Sequence, residues 1–191
     1  WDVIEPRIWP TLLLVGTATV VATVIGVWLG IRSGWKRGSR FDNVSTNTTL
    51  VLYSMPEFWF GMIILIVFAV GIGPFPGLFP TGGISTPGVD TSSLLGVLDV
   101  AWHLVLPVTT LAVIYLAEYS LIMRASIIEE RGQDYVTTAR AKGLMDSLVR
   151  KRHAVPNAML PTMTLVFLNL GFVVGGAITI EYVFSYPGLG L

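Results

Sequence analysis

The sequence predicts an all-α fold, a polytopic helical membrane protein, and three observations predict it. Of 191 residues, 53% are hydrophobic and only 13% charged, against about 25% charged in an average soluble domain. Mean hydropathy is +0.71. The apolar residues gather into four long continuous runs, and about 20 apolar residues is the length a helix needs to cross hydrocarbon. Lipid offers the backbone no hydrogen-bond partners, which leaves helices and closed barrels. Unbroken runs favour helices over the alternating pattern of barrel strands.

The four spans are expected at residues 11–31, 48–72, 103–124 and 154–181 of a single domain, 1–191. The first and last carry no charge within their apolar runs, the second holds Glu57 and the third Glu118. Pro56 should kink the second span and free a carbonyl. Gly26-x-x-x-Gly30 and Gly171-x-x-x-Gly175, the latter extended by Gly176, are small-residue patterns that let helices approach closely. The chain opens on Trp1 and ends just after Pro187-Gly188-Leu189-Gly190, with no signal-peptide pattern, and so reads as the core of a longer protein.

Charge placement supplies an orientation. Lys and Arg number 12 against 12 Asp and Glu, so net charge says nothing of partners. Yet eleven of the twelve basic residues lie in the linkers after the first and third spans, with Arg7 the exception. Basic residues stay on the cytoplasmic side, which places those linkers inside and both ends of the chain outside. The middle linker, residues 73–102, has no Lys or Arg and is rich in Pro and Gly. It should form turns, with one short helix near residues 92–99.

The inner segment 125–152 is too long for a simple connection, which in helical bundles is about 2–8 residues. Its apolar residues recur at helical spacing up to Gly143, apart from Gly132, and Leu144, Leu148 and Val149 follow. Helix, turn at Gly143, helix is the expected shape. Such a segment suits docking to a cytosolic partner; its alternative is a solvated loop that only obeys the charge rule.

Here the residues carry a resemblance. Gln133-Asp134-Tyr135-Val136-Thr137-Thr138-Ala139-Arg140-Ala141-Lys142-Gly143-Leu144 resembles the cytoplasmic EAA loop of ABC importer permeases. It is similar in particular to the dipeptide/oligopeptide permease family, whose pattern reads D-Y-V-x-T-A-R-A-K-G-L. Asn157-Ala158-Met159-Leu160-Pro161, Arg124-Ala125-Ser126-Ile127-Ile128-Glu129, Pro56-Glu57-Phe58-Trp59-Phe60-Gly61 and the run from Glu181 to Gly190 match further motifs in order. The Glu that names the loop falls at Thr137 and its first Ala at Thr138, a departure common in the peptide branch. Glu57 replaces a Ser.

The resemblance implies a type I ABC importer transmembrane-domain fold, with these four spans the second to fifth of six. It implies half of a translocation pathway worked by alternating access in the cytoplasmic membrane of a bacterium or archaeon. The partners it implies are a second, different permease subunit, two cytosolic ABC ATPases that hold ATP and Mg, and an external substrate-binding protein. The chain would bind no cofactor, metal or nucleic acid. Substrates of the family include dipeptides, oligopeptides, nickel chelates and oligosaccharides. Asp134, Tyr135, Thr138, Ala139, Arg140, Ala141, Lys142, Gly143 and Leu144 are the implied ATPase-coupling residues. Ala139, Ala141 and Gly143 would allow a partner to approach closely, and Arg140 and Lys142 would pair with its acidic groups. Gly143 suits a positive φ.

A carboxyl in a span is costly and should face protein or water. Glu57 is a pore candidate or the partner of another helix. Glu118 faces the pore or pairs with Arg124. Thr162 and Asn169, seven apart, share a helical face that lines the pore or meets the second permease. By the resemblance, Glu181, Phe184, Pro187 and Gly188 belong to an outer gate, and Gly188 and Gly190 should need glycine's backbone freedom.

Other classes fare worse. The sequence contains no Cys and two His, so thiolate sites and the usual zinc site are excluded. No G-x-x-x-x-G-K-[ST] phosphate loop occurs, so ATP hydrolysis is expected on separate subunits. His103 and His153 fall on opposite sides of the membrane, where each reads as an interfacial residue, and no Ser/His or paired-carboxylate arrangement suits an embedded enzyme. A passive channel would need no docking segment.

Overall fold

The computed structural model describes residue 2, residues 4–171 and residues 177–191. Helix α1, Glu5–Trp35, takes in the first apolar run and extends beyond both ends of it. Glu5 in its first turn and Arg32 in its last complement the helix dipole. Its 31 residues make about 46 Å of helix, more than the ~30 Å of a hydrocarbon core.

Helix α2, Arg40–Tyr53, starts at Ser39, whose hydroxyl accepts from the Asp42 N–H at 3.1 Å, satisfying one of the free donors of a helix start. The expected continuous span 48–72 is corrected here: α2 stops at Tyr53 and α3, Glu57–Ile64, begins after a break. Pro56 is extended, with φ −62° and ψ 129°, and proline also pushes its predecessor out of the helical region. Helix α3 widens into a π-helical turn, Leu65–Val70. Strands β1, Gly71–Ile72, and β2, Phe75–Pro76, then pair antiparallel, Gly71 opposite Pro76 and Ile72 opposite Phe75.

Helix α4, Leu94–Glu130, is 37 residues long. The Ser93 hydroxyl accepts from the Gly96 N–H at 3.0 Å and begins it. One helix thus absorbs both the short helix expected at 92–99 and the span 103–124. Arg131–Gln133 lead into α5, Asp134–Ala141. Gly143 turns the chain with φ +80°, as its type suggested. Helix α6, Asp146–Val149, passes through a π-helical turn, Arg150–Ala154, into α7, Val155–Gly171. Helix α8 is Ile178–Val183. The Gly175 and Gly176 packing expectation lies outside the described residues.

Helices overrun the expected spans because hydropathy marks where lipid ends and not where helix ends. Residues 125–130 and 146–153 contain neither Gly nor Pro, so nothing there stops a helix. The segment 125–152 is therefore mostly helix, and the connection proper shortens to residues 131–145. Among the described residues, Glu5–Trp35, Leu94–Glu130 and Asp146–Gly171 are long and apolar enough to cross a membrane. The broken pair Arg40–Tyr53 and Glu57–Val70 makes a fourth if counted as one span.

Two compact units divide the chain. The first holds Trp1–Thr19, Met55–Val113 and Asn169–Leu191. In it, Gly61 stands close to Thr110, Val183 and Phe184, and Phe79 stacks on Trp102 with centroids 4.3 Å apart. The second holds Val20–Ser54 and Ile114–Leu168. Its core contains Trp35, Met123, Ile127, Val136, Ala139, Val149, Ala154 and Ala158. Gly26 and Gly30 meet α4 as their spacing suggested, and Gly34 continues the stripe. A Cβ at Gly30 would stand 2.6 Å from Met123 Cβ, and one at Gly34 2.8 Å from the Arg124 carbonyl. Small residues there set how closely the two helices pack.

Candidate functional site

In the second unit, α5 is amphipathic and its burial follows helical spacing. Val136 and Ala139 are buried, Ala139 only 4% exposed, while Asp134, Thr137, Thr138, Ala141, Lys142 and Gly143 are exposed. Leu144 packs against the core cluster. Ala139 was expected to face a partner protein; instead it faces the chain's own core. Periodicity locates an apolar face but does not say which neighbour covers it.

The loop is braced on Trp35, at the end of α1. The Trp35 indole N–H donates to Asp146 Oδ2 at 2.7 Å. Arg140 reaches Asp146 Oδ1 at 3.4 Å, and the guanidinium groups of Arg131 and Arg140 lie 5.5 and 5.4 Å from the Trp35 ring centroid. Arg131 also donates to the Gly34 carbonyl at 3.1 Å. The Tyr135 hydroxyl donates to Glu130 and accepts from Asn157 Nδ2 at 3.0 Å. Burial, then the Glu130 carboxylate, push the Tyr135 phenol up from its ordinary pKa. Helices α1, α4, α5, α6 and α7 thus share one set of contacts, and a push on the exposed side of α5 meets a braced element. Trp35 and Asp146 were not singled out from sequence. The tryptophan beside Lys36 and Arg37 is a signal only in retrospect.

Arg124 gives a second correction. Its guanidinium makes a two-pronged contact with Asp42, Nε to Oδ1 at 2.6 Å and Nη2 to Oδ2 at 3.0 Å. Asp42 is 1% exposed and also accepts from Gly38 N and Thr46 Oγ1. The bidentate partner of Arg124 is therefore Asp42 rather than Glu118. Glu118 is half-buried and has contacts of its own. Thr162 is buried, its hydroxyl 3.6 Å from Met123 Sδ.

In the first unit, the last residues fold back over Glu181, which is fully buried. Glu181 Oε1 accepts from the Thr11 hydroxyl at 2.5 Å and Oε2 from the Gly190 N–H at 2.6 Å. The Thr11 oxygen in turn accepts from the Leu189 N–H at 2.9 Å, and the Tyr186 hydroxyl donates to the Pro10 carbonyl at 3.1 Å. Burial, then the Glu181 carboxylate, raise the Tyr186 phenol's pKa. Gly83 N donates to the Phe184 carbonyl at 3.2 Å, tying the Pro/Gly-rich linker to the same knot. Phe184 and Gly188 are buried, and Pro187 is exposed.

Gly188 and Gly190 are needed for a reason other than the expected one. Neither has a positive φ; Ser185, at φ 45°, does. A Cβ at Gly188 would overlap the Glu181 carboxylate, and one at Gly190 would stand 2.6 Å from Ile178 Cα. Close approach excludes a side chain at both.

Two further pore candidates, Glu57 and Asn169, belong to the first unit. Glu57 is half-buried in the first turn of α3, where a carboxylate complements the helix dipole; that accounts for an acid directly after Pro56. Asn169 is half-buried and has contacts of its own. Among the described residues, no group of three or more His, Asp or Glu could hold a metal ion.

Residues 22–191 match the family model described as binding-protein-dependent transport system inner membrane component. The chain belongs to that family. Its members are transport components of a membrane, not catalytic subunits. The chain is 34% identical over 189 residues to an oligopeptide transport system permease protein of Bacillus subtilis, covering 99% of this chain and 57% of that protein. It is 37% identical over 207 residues to a dipeptide transport system permease protein of Escherichia coli, covering 100% of this chain and 60% of that one. It thus spans less than two thirds of the length of these relatives. A crystal structure of an amino acid ABC transporter with histidines superposes with a TM-score of 0.67 over 99% of this chain and 75% of that one, at 15% identity. The fold is therefore that of an ABC importer transmembrane domain, and the braced loop and the folded-back tail are features of a family member.

Proposed function

We propose that the full-length protein is one permease subunit of an ATP-driven, binding-protein-dependent importer of peptides in a bacterial or archaeal cytoplasmic membrane. One observation carries this reading: nearly the whole chain aligns, at 34% and 37% identity, with permeases named for oligopeptide and dipeptide transport. In this reading the protein works beside a second permease subunit, two cytosolic ATPases that hold ATP and Mg, and an external binding protein that delivers the peptide.

The braced loop supports a division of labour. The exposed side of α5 and its turn, Thr137, Thr138, Ala141, Lys142 and Gly143, docks on an ATPase. Lys142 supplies charge, and Ala141 and Gly143 allow close approach. Val136 and Ala139 hold α5 to the chain's own core, so displacement of the docked ATPase moves the helices as one. Packed interfaces of this kind have discrete arrangements and pass on rigid-body motion. The knot around Glu181 closes the outer end, and Glu57, Glu118 and Asn169 are the polar groups offered to the pathway.

The test uses the full-length permease with its partner subunits in proteoliposomes. Expected results are co-purification of an ATPase and ATP hydrolysis stimulated by a peptide-loaded binding protein. A Cys at Ser92 should label from outside intact cells and one at Ser147 should not. Stimulation by an oligosaccharide or a nickel chelate, but by no peptide, would reassign the substrate. Failure to bind any ATPase, or the reverse labelling pattern, would overturn the importer reading.

A further inference from the structure

The second unit carries a cavity of about 580 Å³. Trp28 and Arg32 of α1, with Lys36 just beyond it, form one wall; Arg150 and Lys151 of the π-helical turn and Val155 of α7 form another. Two chemistries meet in it. Trp28 and Val155 belong to apolar runs of spanning length, and the four cations stand at the polar ends of those runs. Among the described residues none of the four forms an ion pair, whereas Arg124 and Arg140 both do. Arg32 instead lies over aromatic faces, 5.4 Å from the Trp28 centroid and 4.8 Å from that of Phe41.

We infer that this cavity binds one anionic phospholipid. Its phosphate would be received by Lys36, Arg150 and Lys151, with Arg32 held ready by its aromatic contacts, and an acyl chain would lie along Trp28 and Val155. Three features support a lipid over a soluble acidic partner. The apolar wall comes from spanning helices. The step from apolar to basic is where headgroups lie, and interfacial Trp favours that depth. Basic pockets between spanning helices on the cytoplasmic side suit anionic headgroups. The inference needs membrane embedding and the basic side of the chain, not the peptide substrate, so it stands or falls separately from the importer reading.

The test uses the full-length permease complex in nanodiscs of phosphatidylcholine with or without phosphatidylglycerol, followed by native mass spectrometry of retained lipid. Wild type should retain phosphatidylglycerol over phosphatidylcholine of the same chain length, and salt should weaken retention. The double variant Lys36→Gln/Lys151→Gln should lose about thirtyfold in that preference, the equivalent of about 1 kcal/mol per cation. Lys36→Arg/Lys151→Arg should keep it, and Arg7→Gln should leave it unchanged. The wild-type comparison of two lipids needs no variant, so misfolding cannot mask the answer. Equal retention of both lipids by wild type would overturn the inference. So would displacement by inorganic phosphate alone, or loss of ATPase binding in the Gln variant with lipid preference intact; these would make the cavity a free-anion site or a protein dock.

Discussion

Replacing Thr11 with valine keeps the side-chain volume and removes one oxygen from the knot around Glu181. Thr11 is 1% exposed and Glu181 0%. The lost hydroxyl donates to Glu181 Oε1 at 2.5 Å and accepts from Leu189 N at 2.9 Å. A hydrogen bond to a carboxylate contributes about 1.5–3 kcal/mol, and an unpaired buried N–H costs about 1–3 kcal/mol. Leu189 is only half-buried, so water repairs part of the loss, and the lower ends apply: about 2.5 kcal/mol, confined to this unit. At about 1.4 kcal/mol per decade, local opening of residues 185–191 should become about sixtyfold more frequent. Amide hydrogen exchange of Leu189 and Gly190 in the full-length permease, in nanodiscs, reads this directly. Peptides from residues 131–145 should exchange as in wild type, and Thr11→Ser should restore most of the protection. Unchanged exchange at Leu189 and Gly190 would refute the reasoning, because the knot would then not depend on the hydroxyl that bridges it.

Three further outcomes are expected. Ala139→Asp should lower thermal stability by about 3 kcal/mol or more, because it buries a carboxylate among apolar side chains. Ala141→Asp, on the exposed side, should change stability by less than about 0.5 kcal/mol yet weaken ATPase co-purification; equal melting temperatures for the two variants would contradict the assigned faces. Asp42→Asn should destabilise by about 2–3 kcal/mol, less than for a fully buried pair because Arg124 is partly exposed. Arg124→Met in the same chain should recover more than half of that, as measured by detergent-solubilised unfolding. Gly188→Val/Gly190→Val should impair transport while the complex still assembles, and full transport by this double variant would remove the case for a close-packed turn over Glu181.

Much of the fold was legible because lipid imposes a coarse rule. The uncharged run at 11–31 and the long run inside α4 could only be helices. The motif in α5 marked the loop, and glycine at position 143 marked its turn. What stayed hidden depended on partners remote in sequence. Asp42 and Arg124 lie 82 residues apart, and Trp35 and Asp146 lie 111 apart; no local pattern pairs them. Ala139 looked like a contact for another protein because a small residue on a short helix suits either side. Pro56 signalled a kink, but whether a kink becomes a break depends on what the freed backbone meets. Gly188 looked like a backbone requirement, and only the position of Glu181 shows that it is a steric one.

The bond between Thr11 and Glu181 closes a loop of 170 residues, and this has a consequence for biogenesis. Chains emerge at about 5–20 residues per second during synthesis, so Glu181 follows Thr11 by roughly 10–30 s. Through that interval the start of α1 lacks its carboxylate partner and the segment that will cover it. Long-range closure of this kind comes late in folding, since the entropy of the loop must be overcome before the contact forms. Chains stopped short of Glu181 would leave the start of α1 without its cover. The knot therefore distinguishes chains that have passed Gly190 from chains interrupted before Glu181.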